Sequence, residues 1–220
     1  MKRKRLINIL AIGAVCATCL VGGTLAYLTD AERVTNKFQV GKIDIELTEP
    51  TWNETENQEI TPTQIIKKDP QITNVGINDA FVYLEVSVPM ASVITANNIG
   101  IRENNGVARY QELFTFAPNS AWTLLKSEEL NRNMVYTYSY NQILKKNAVT
   151  TPLFQTVTFA NVVEGQIDEQ QYDVKVNAFA IQTEHTGDDG SDIPAQAKAA
   201  YTKYANQNLG TSGAVEVEKK

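Results

Sequence analysis

The single histidine, His185, stands beside Glu184 and just ahead of an acidic, glycine-flanked stretch, Gly187-Asp188-Asp189-Gly190-Ser191-Asp192. These residues are where metal-assisted chemistry would have to begin. A catalytic zinc takes three protein ligands, usually with histidine among them. One histidine and no H-E-x-x-H do not supply them. Asp188, Asp189 and Asp192 offer oxygen ligands suited to calcium, but their spacing does not follow the D-x-[DN]-x-[DN]-G loop. A nucleophilic serine would sit in a Gly-x-Ser-x-Gly elbow, which is missing, as is a phosphate-cradling glycine loop. The only cysteines, Cys16 and Cys19, lie in one apolar segment near the N-terminus. Removal of that segment takes with it disulfides, thiol catalysis and thiolate metal sites. The residues therefore point to no cofactor, no metal and no enzyme, but to a binding or assembly protein.

Aromatic residues are the other candidates. Met134, Tyr136, Tyr138 and Tyr140 alternate with Val135, Thr137 and Ser139, which puts three rings on one face of a strand. Such a ladder, or Trp52 or Trp122, would let a monomeric adhesin or carbohydrate-binding module stack on sugars. The plainer role is large rings filling a sheet face with their hydroxyls at its rim.

The elements that position these residues are strands. Phe81 to Val88 has the clearest period of two: Val82, Leu84, Val86 and Val88 on one face, Phe81, Tyr83, Glu85 and Ser87 on the other, with Pro89 as its end. Further strands are predicted from Lys42 to Leu47, Gln71 to Val75, Leu113 to Phe116, Ala121 to Leu125, Met134 to Tyr140, Leu153 to Ala160 and Tyr172 to Ile181. Residues 48–64 read as a polar loop, and Ser127-Glu128-Glu129-Leu130-Asn131 as a polar turn. No helix separates consecutive strands. The expected fold is all-β, an antiparallel β-sandwich or barrel, and jelly-roll and immunoglobulin-like topologies both fit. After Thr183 a short helix is expected, capped by Asp192 with Pro194 in its first turn and with Ala197, Ala200, Tyr201, Tyr204 and Ala205 on one face.

The N-terminus carries an address. Lys2, Arg3, Lys4 and Arg5 precede an apolar run from Leu6 to Leu25, and Thr24-Leu25-Ala26 offers small residues before a cut between Ala26 and Tyr27. That order is a secretory signal peptide. The run would also span a bilayer, at about 20 residues, but the small residues favour cleavage. The 20 basic residues include these four, and none of the 25 acidic ones precedes the cut, which leaves 16 against 25, a net charge near −9. Nucleic acid is excluded as a main partner, and the membrane is met only through the signal segment. After the cut, Val34, Asn36, Phe38 and Val40 share one face of a short strand. Ile43, Ile45 and Leu47 follow in the opposite phase, so Gly41 is a bend or hinge. The organisation expected is a signal peptide (1–26), an N-terminal arm (27–41), a β-sandwich (42–185), and a polar loop, short helix and tail (186–220).

With these residues in view, the chain resembles the TasA/camelysin family of exported bacterial proteins. The resemblance runs through Gly22-Gly23-Thr24-Leu25-Ala26-Tyr27-Leu28-Thr29-Asp30, similar to a substrate of the SipW-type signal peptidase, and Asn36-Lys37-Phe38-Gln39-Val40-Gly41-Lys42-Ile43. It continues through Asp69-Pro70, Asn74-Val75-Gly76, the Phe81 strand, Tyr138-Ser139-Tyr140, Thr150-Thr151-Pro152-Leu153-Phe154 and Ala178-Phe179-Ala180-Ile181-Gln182. It implies a jelly-roll sandwich secreted to build extracellular biofilm-matrix fibres, in which the arm of one copy completes the sheet of the next. Val34, Asn36, Phe38 and Val40 would be the donated strand. The partners implied are other copies of the chain, the signal peptidase during export and an accessory matrix protein. Camelysin-type members are also classed as metallopeptidases, an activity the missing zinc motif does not support here.

Overall fold

Among the described residues the framework is ten strands and one α-helix, with a 3-10 turn at Asn104–Gly106. The computed structural model describes residues 43–53, 60–168, 170–184 and 192–209, with the side chains of 207–209 set aside. The strands are β1 (Ile45–Thr48), β2 (Ile65–Lys67), β3 (Gln71–Asn74), β4 (Ala80–Val93), β5 (Arg109–Glu112), β6 (Phe114–Phe116), β7 (Trp122–Leu130), β8 (Asn133–Tyr140), β9 (Thr156–Phe159) and β10 (Lys175–Gln182). The helix α1 runs Ile193–Leu209.

All ladders are antiparallel. The larger sheet has the order β10-β4-β8-β7, with β5 added to the far end of β4. Against it lie β2-β9-β6 and the pair β1-β3. This is the all-β antiparallel sandwich expected, and its neighbours are mostly non-consecutive, as jelly-roll connectivity requires. The core between the layers takes Val82, Leu84, Val86 and Val88 from β4, with Ile66, Ile72, Phe114, Phe154, Val157 and Phe159. Ile43, Ile45 and Leu47 pack onto it in the phase read from the sequence.

The other face of β4 is also covered. Phe81 and Tyr83 are fully buried beneath α1, against Ala197 and Ala200. The Tyr83 hydroxyl donates to the Ala197 carbonyl at 2.7 Å. Asp192 caps the helix by accepting from the Ala195 N–H at 2.9 Å. The small side chains of Ala197 and Ala200 let the helix lie close to the sheet.

Three elements differ from the sequence reading. β4 does not end at Pro89 but continues to Val93. Pro89 falls between the end of the β10 ladder at Ser87 and the start of the β5 ladder at Met90, where its missing N–H is not needed. Ser127 to Leu130 is strand rather than turn. Its polar composition is that of an exposed outer strand, and the turn itself is Asn131-Arg132, at φ 51° and 62°. The loop at 48–64 hands over to β2, three residues with only Ile66 buried, too short to show a period.

Candidate assembly edge

β10 is held on one side by β4 in an unbroken register from Lys175↔Ser87 to Gln182↔Ala80. Among the described residues no strand is hydrogen-bonded to its other side. Its side chains alternate between two layers. Val174, Val176, Ala178 and Ala180 turn to the sandwich core and are only partly buried there. Phe179 and Ile181 turn to the helix. The Phe179 ring stacks on Tyr83 at 4.9 Å and 11°, and on Tyr204 at 5.9 Å and 20°. Packing on both faces thus fixes the strand while its outer edge has no described ladder partner. β1 passes within 8 Å of β10 (Cα–Cα), with no ladder between them.

The opposite outer strand, β7, is treated differently. Its register slips between Leu124 and Lys126, a bulge. From Lys126 to Leu130 every residue is exposed, and Lys126 pairs with Glu128 at 2.6 Å. Bulges and charges on an edge prevent another strand from joining it. β10 carries no such bulge.

The aromatic candidates are structural. Tyr138 and Tyr140 are buried and Tyr136 packs against the same core. Their ring neighbours are Phe116 and Trp122: Phe116 meets Tyr136 edge-on at 5.7 Å, and Trp122 lies 5.0 Å from Tyr140. The Trp122 indole N–H donates to the Thr151 carbonyl at 3.0 Å. Burial raises the hydroxyl pKa of Tyr83, Tyr136 and Tyr138 above the ordinary tyrosine value. Glu112 adds to this at Tyr136, whose hydroxyl donates to its carboxylate at 2.7 Å, and at Tyr138 by its charge. Trp52 is 39% exposed. It lies 4.8 Å from the Lys68 ammonium, which also binds Glu49 at 2.8 Å. Asp69 accepts from the Thr51 N–H, so this cluster pins the start of the 48–64 loop.

Among the described residues no group of three or more His, Cys, Asp or Glu is placed to hold a metal ion. Asp192 is the helix cap, while His185, Asp188 and Asp189 lie outside the described residues. So do Ala26 and Tyr27 at the cut, the arm residues Val34, Asn36, Phe38 and Val40, and the hinge Gly41. No described helix is long and apolar enough to cross a membrane. Sequence reading found β10 as Tyr172 to Ile181, where the strand runs Lys175–Gln182. It had no signal for which strand would be left at the edge, because edge position depends on distant partners.

The class defined by these features is a β-sandwich whose larger sheet ends, among the described residues, in one bulged and charged strand and one strand of unbroken register. Residues 1–102 match the family model of camelysin metallo-endopeptidases, a little under half of the chain. The match spans the N-terminal segment and β1 to β4; the helix lies beyond it. No curated protein matches the chain.

Proposed function

We propose that this chain is a secreted structural subunit that polymerises head to tail into extracellular matrix fibres. Residues 27–40 of one copy pair along the outer edge of β10 in the next, with Val34, Phe38 and Val40 turned to the half-covered row Val174, Val176, Ala178 and Ala180. One observation carries the reading: β10 is eight residues long, unbroken in register and apolar toward the core, with no described strand hydrogen-bonded to its outer side. A donated strand would satisfy its backbone N–H and C=O groups and complete its apolar cover at once. A contact that joins two different surfaces propagates instead of closing. Cleavage between Ala26 and Tyr27 releases the arm from the membrane, and Gly41 lets it swing away from its own body. Processing by the signal peptidase is then the switch for assembly, and an accessory matrix protein would act at the growing end. The chain works without catalysis, although its family is named for a peptidase; chelator-sensitive cleavage of casein that survives repurification would reverse that part.

The test compares residues 27–220 with residues 41–220 by electron microscopy and sedimentation. The longer protein forms fibres, the shorter stays a folded monomer, and a synthetic 27–40 peptide binds the shorter one with one-to-one stoichiometry. Fibres of the shorter protein at normal yield would overturn the proposal. A 27–220 protein that stays monomeric at high concentration would overturn it equally.

A further inference from the structure

A second feature lies on β4, past the point where β10 leaves it. Pro89 to Ser92, Tyr110, the β7–β8 turn and the segment around Tyr172 enclose an open cleft of about 640 Å³. Two cations line it, Arg132 and Lys175, against one acid, Asp173. Among the described residues neither cation makes an ion pair or a side-chain hydrogen bond, in a chain with 25 acidic residues to choose from. Two tyrosines complete the walls. Tyr110 is 45% exposed, and the Tyr172 hydroxyl donates to Gln170 at 2.7 Å, which steadies its ring.

Arg132 is the anomaly. It holds φ 62° directly after Asn131 at φ 51°. A two-residue hairpin turn with both centres left-handed strongly favours Asn-Gly, and asparagine is indeed first. The second place holds arginine, whose Cβ makes that conformation costly. Strain of this kind persists where the surroundings impose it, and the Met90 N–H donating to the Arg132 carbonyl at 2.9 Å does so here. The backbone gains nothing from arginine at this place. What arginine adds is a guanidinium on the cleft wall.

We propose that this cleft binds a carboxylate-bearing sugar unit of an acidic polysaccharide. Arg132 grips the carboxylate through paired N–H donors, Lys175 adds a second positive charge, and Tyr110 and Tyr172 offer ring faces to the pyranose. A fork of donors suits a carboxylate, and flat rings beside side-chain amides suit a hydroxyl-covered ring better than an apolar chain. The site meets β10 only at its first residue, Lys175, and does not depend on the assembly proposal.

The experiment titrates the mature chain (residues 27–220) with trigalacturonate by calorimetry and NMR, beside neutral galactotriose and a triglutamate peptide. Trigalacturonate binds saturably, and both controls bind at least about tenfold more weakly, the worth of one charged hydrogen bond. Arg132→Gly weakens binding by the same factor or more while Tm stays level or rises, because glycine relieves the turn. Tyr110→Ala also weakens binding and leaves Tm unchanged. Equal binding of galactotriose or triglutamate would overturn the assignment, as would no saturable binding. So would an Arg132→Gly protein that loses Tm yet binds normally, since arginine would then be serving the fold.

Discussion

On one side of the larger sheet, β7 ends in a bulge, a run of exposed charged residues and a tight turn. On the other, β10 keeps an eight-residue register with β4, rings packed on one face and a short apolar row on the other. Both are outer strands of the same sheet among the described residues. The contrast shows that an exposed edge is not in itself a hazard this protein tolerates. Where extension is unwanted, the chain spends sequence to prevent it. β10 has no bulge and a single charged residue, Lys175, at its start; on the assembly proposal that difference separates a strand that merely borders the sheet from one that receives another.

Matched substitutions test that contrast most severely. Ala178→Lys places a charge in the apolar row of β10 and stops fibre growth, scored by electron microscopy, while circular dichroism still reports a folded β protein. Leu124→Lys, at a position 47% exposed on β7, leaves fibre yield unchanged. If the two variants behave alike, the distinction between the edges is gone. The converse change removes the guard: Lys126→Val, Glu128→Val and Glu129→Val together turn β7 into an adhesive edge, and light scattering of the soluble protein rises several-fold.

Smaller effects sharpen the picture of the sheet between the edges. Tyr83, Tyr136 and Tyr138 have hydroxyl pKa values raised in the folded state, chiefly by burial. Their neutral forms are favoured by folding, so this contribution is complete below the unfolded tyrosine pKa of about 10. Above it the unfolded chain loses protons that the folded one keeps, and stability falls as pH rises. Thermal unfolding should show a drop beginning near pH 10, and Tyr136→Phe should reduce it. The smallest effect belongs to Ser139, opposite Tyr83 on β8, whose hydroxyl is fully buried without a partner. Ser139→Ala should raise stability by about 1 kcal/mol in urea denaturation, since an unmade hydrogen bond is removed.

The fold class could be read from the sequence because alternation is a local property. Val82 to Val88 and Met134 to Tyr140 announce their faces without reference to any neighbour. The cap of α1 was readable for the same reason, since Asp192 and Pro194 act within one turn. What stayed hidden depends on pairing between distant segments. Pro89 looks like a stop until the ladders of β10 and β5 are seen to leave a gap for it. The charges of Ser127 to Leu130 look like a turn until the strand is found at the rim. The proposed assembly site was legible in half: the alternating residues 34–40 and Gly41 stand out in the sequence, while the proposed acceptor appears only once β10 is placed last in its sheet. The polar cleft around Arg132 gave no signal, because its walls come from five separate stretches.

The hydrogen bond from Tyr83 to Ala197 joins residues 114 positions apart. A ribosome delivers the first long before the second, so Phe81 and Tyr83 wait bare through about half of synthesis until the closing segment arrives to roof them. A chain cut short after β10 would carry a finished sandwich with an oily, ring-lined back. Quality control therefore has a simple mark to read: completeness of the polypeptide is reported by whether that back is shaded.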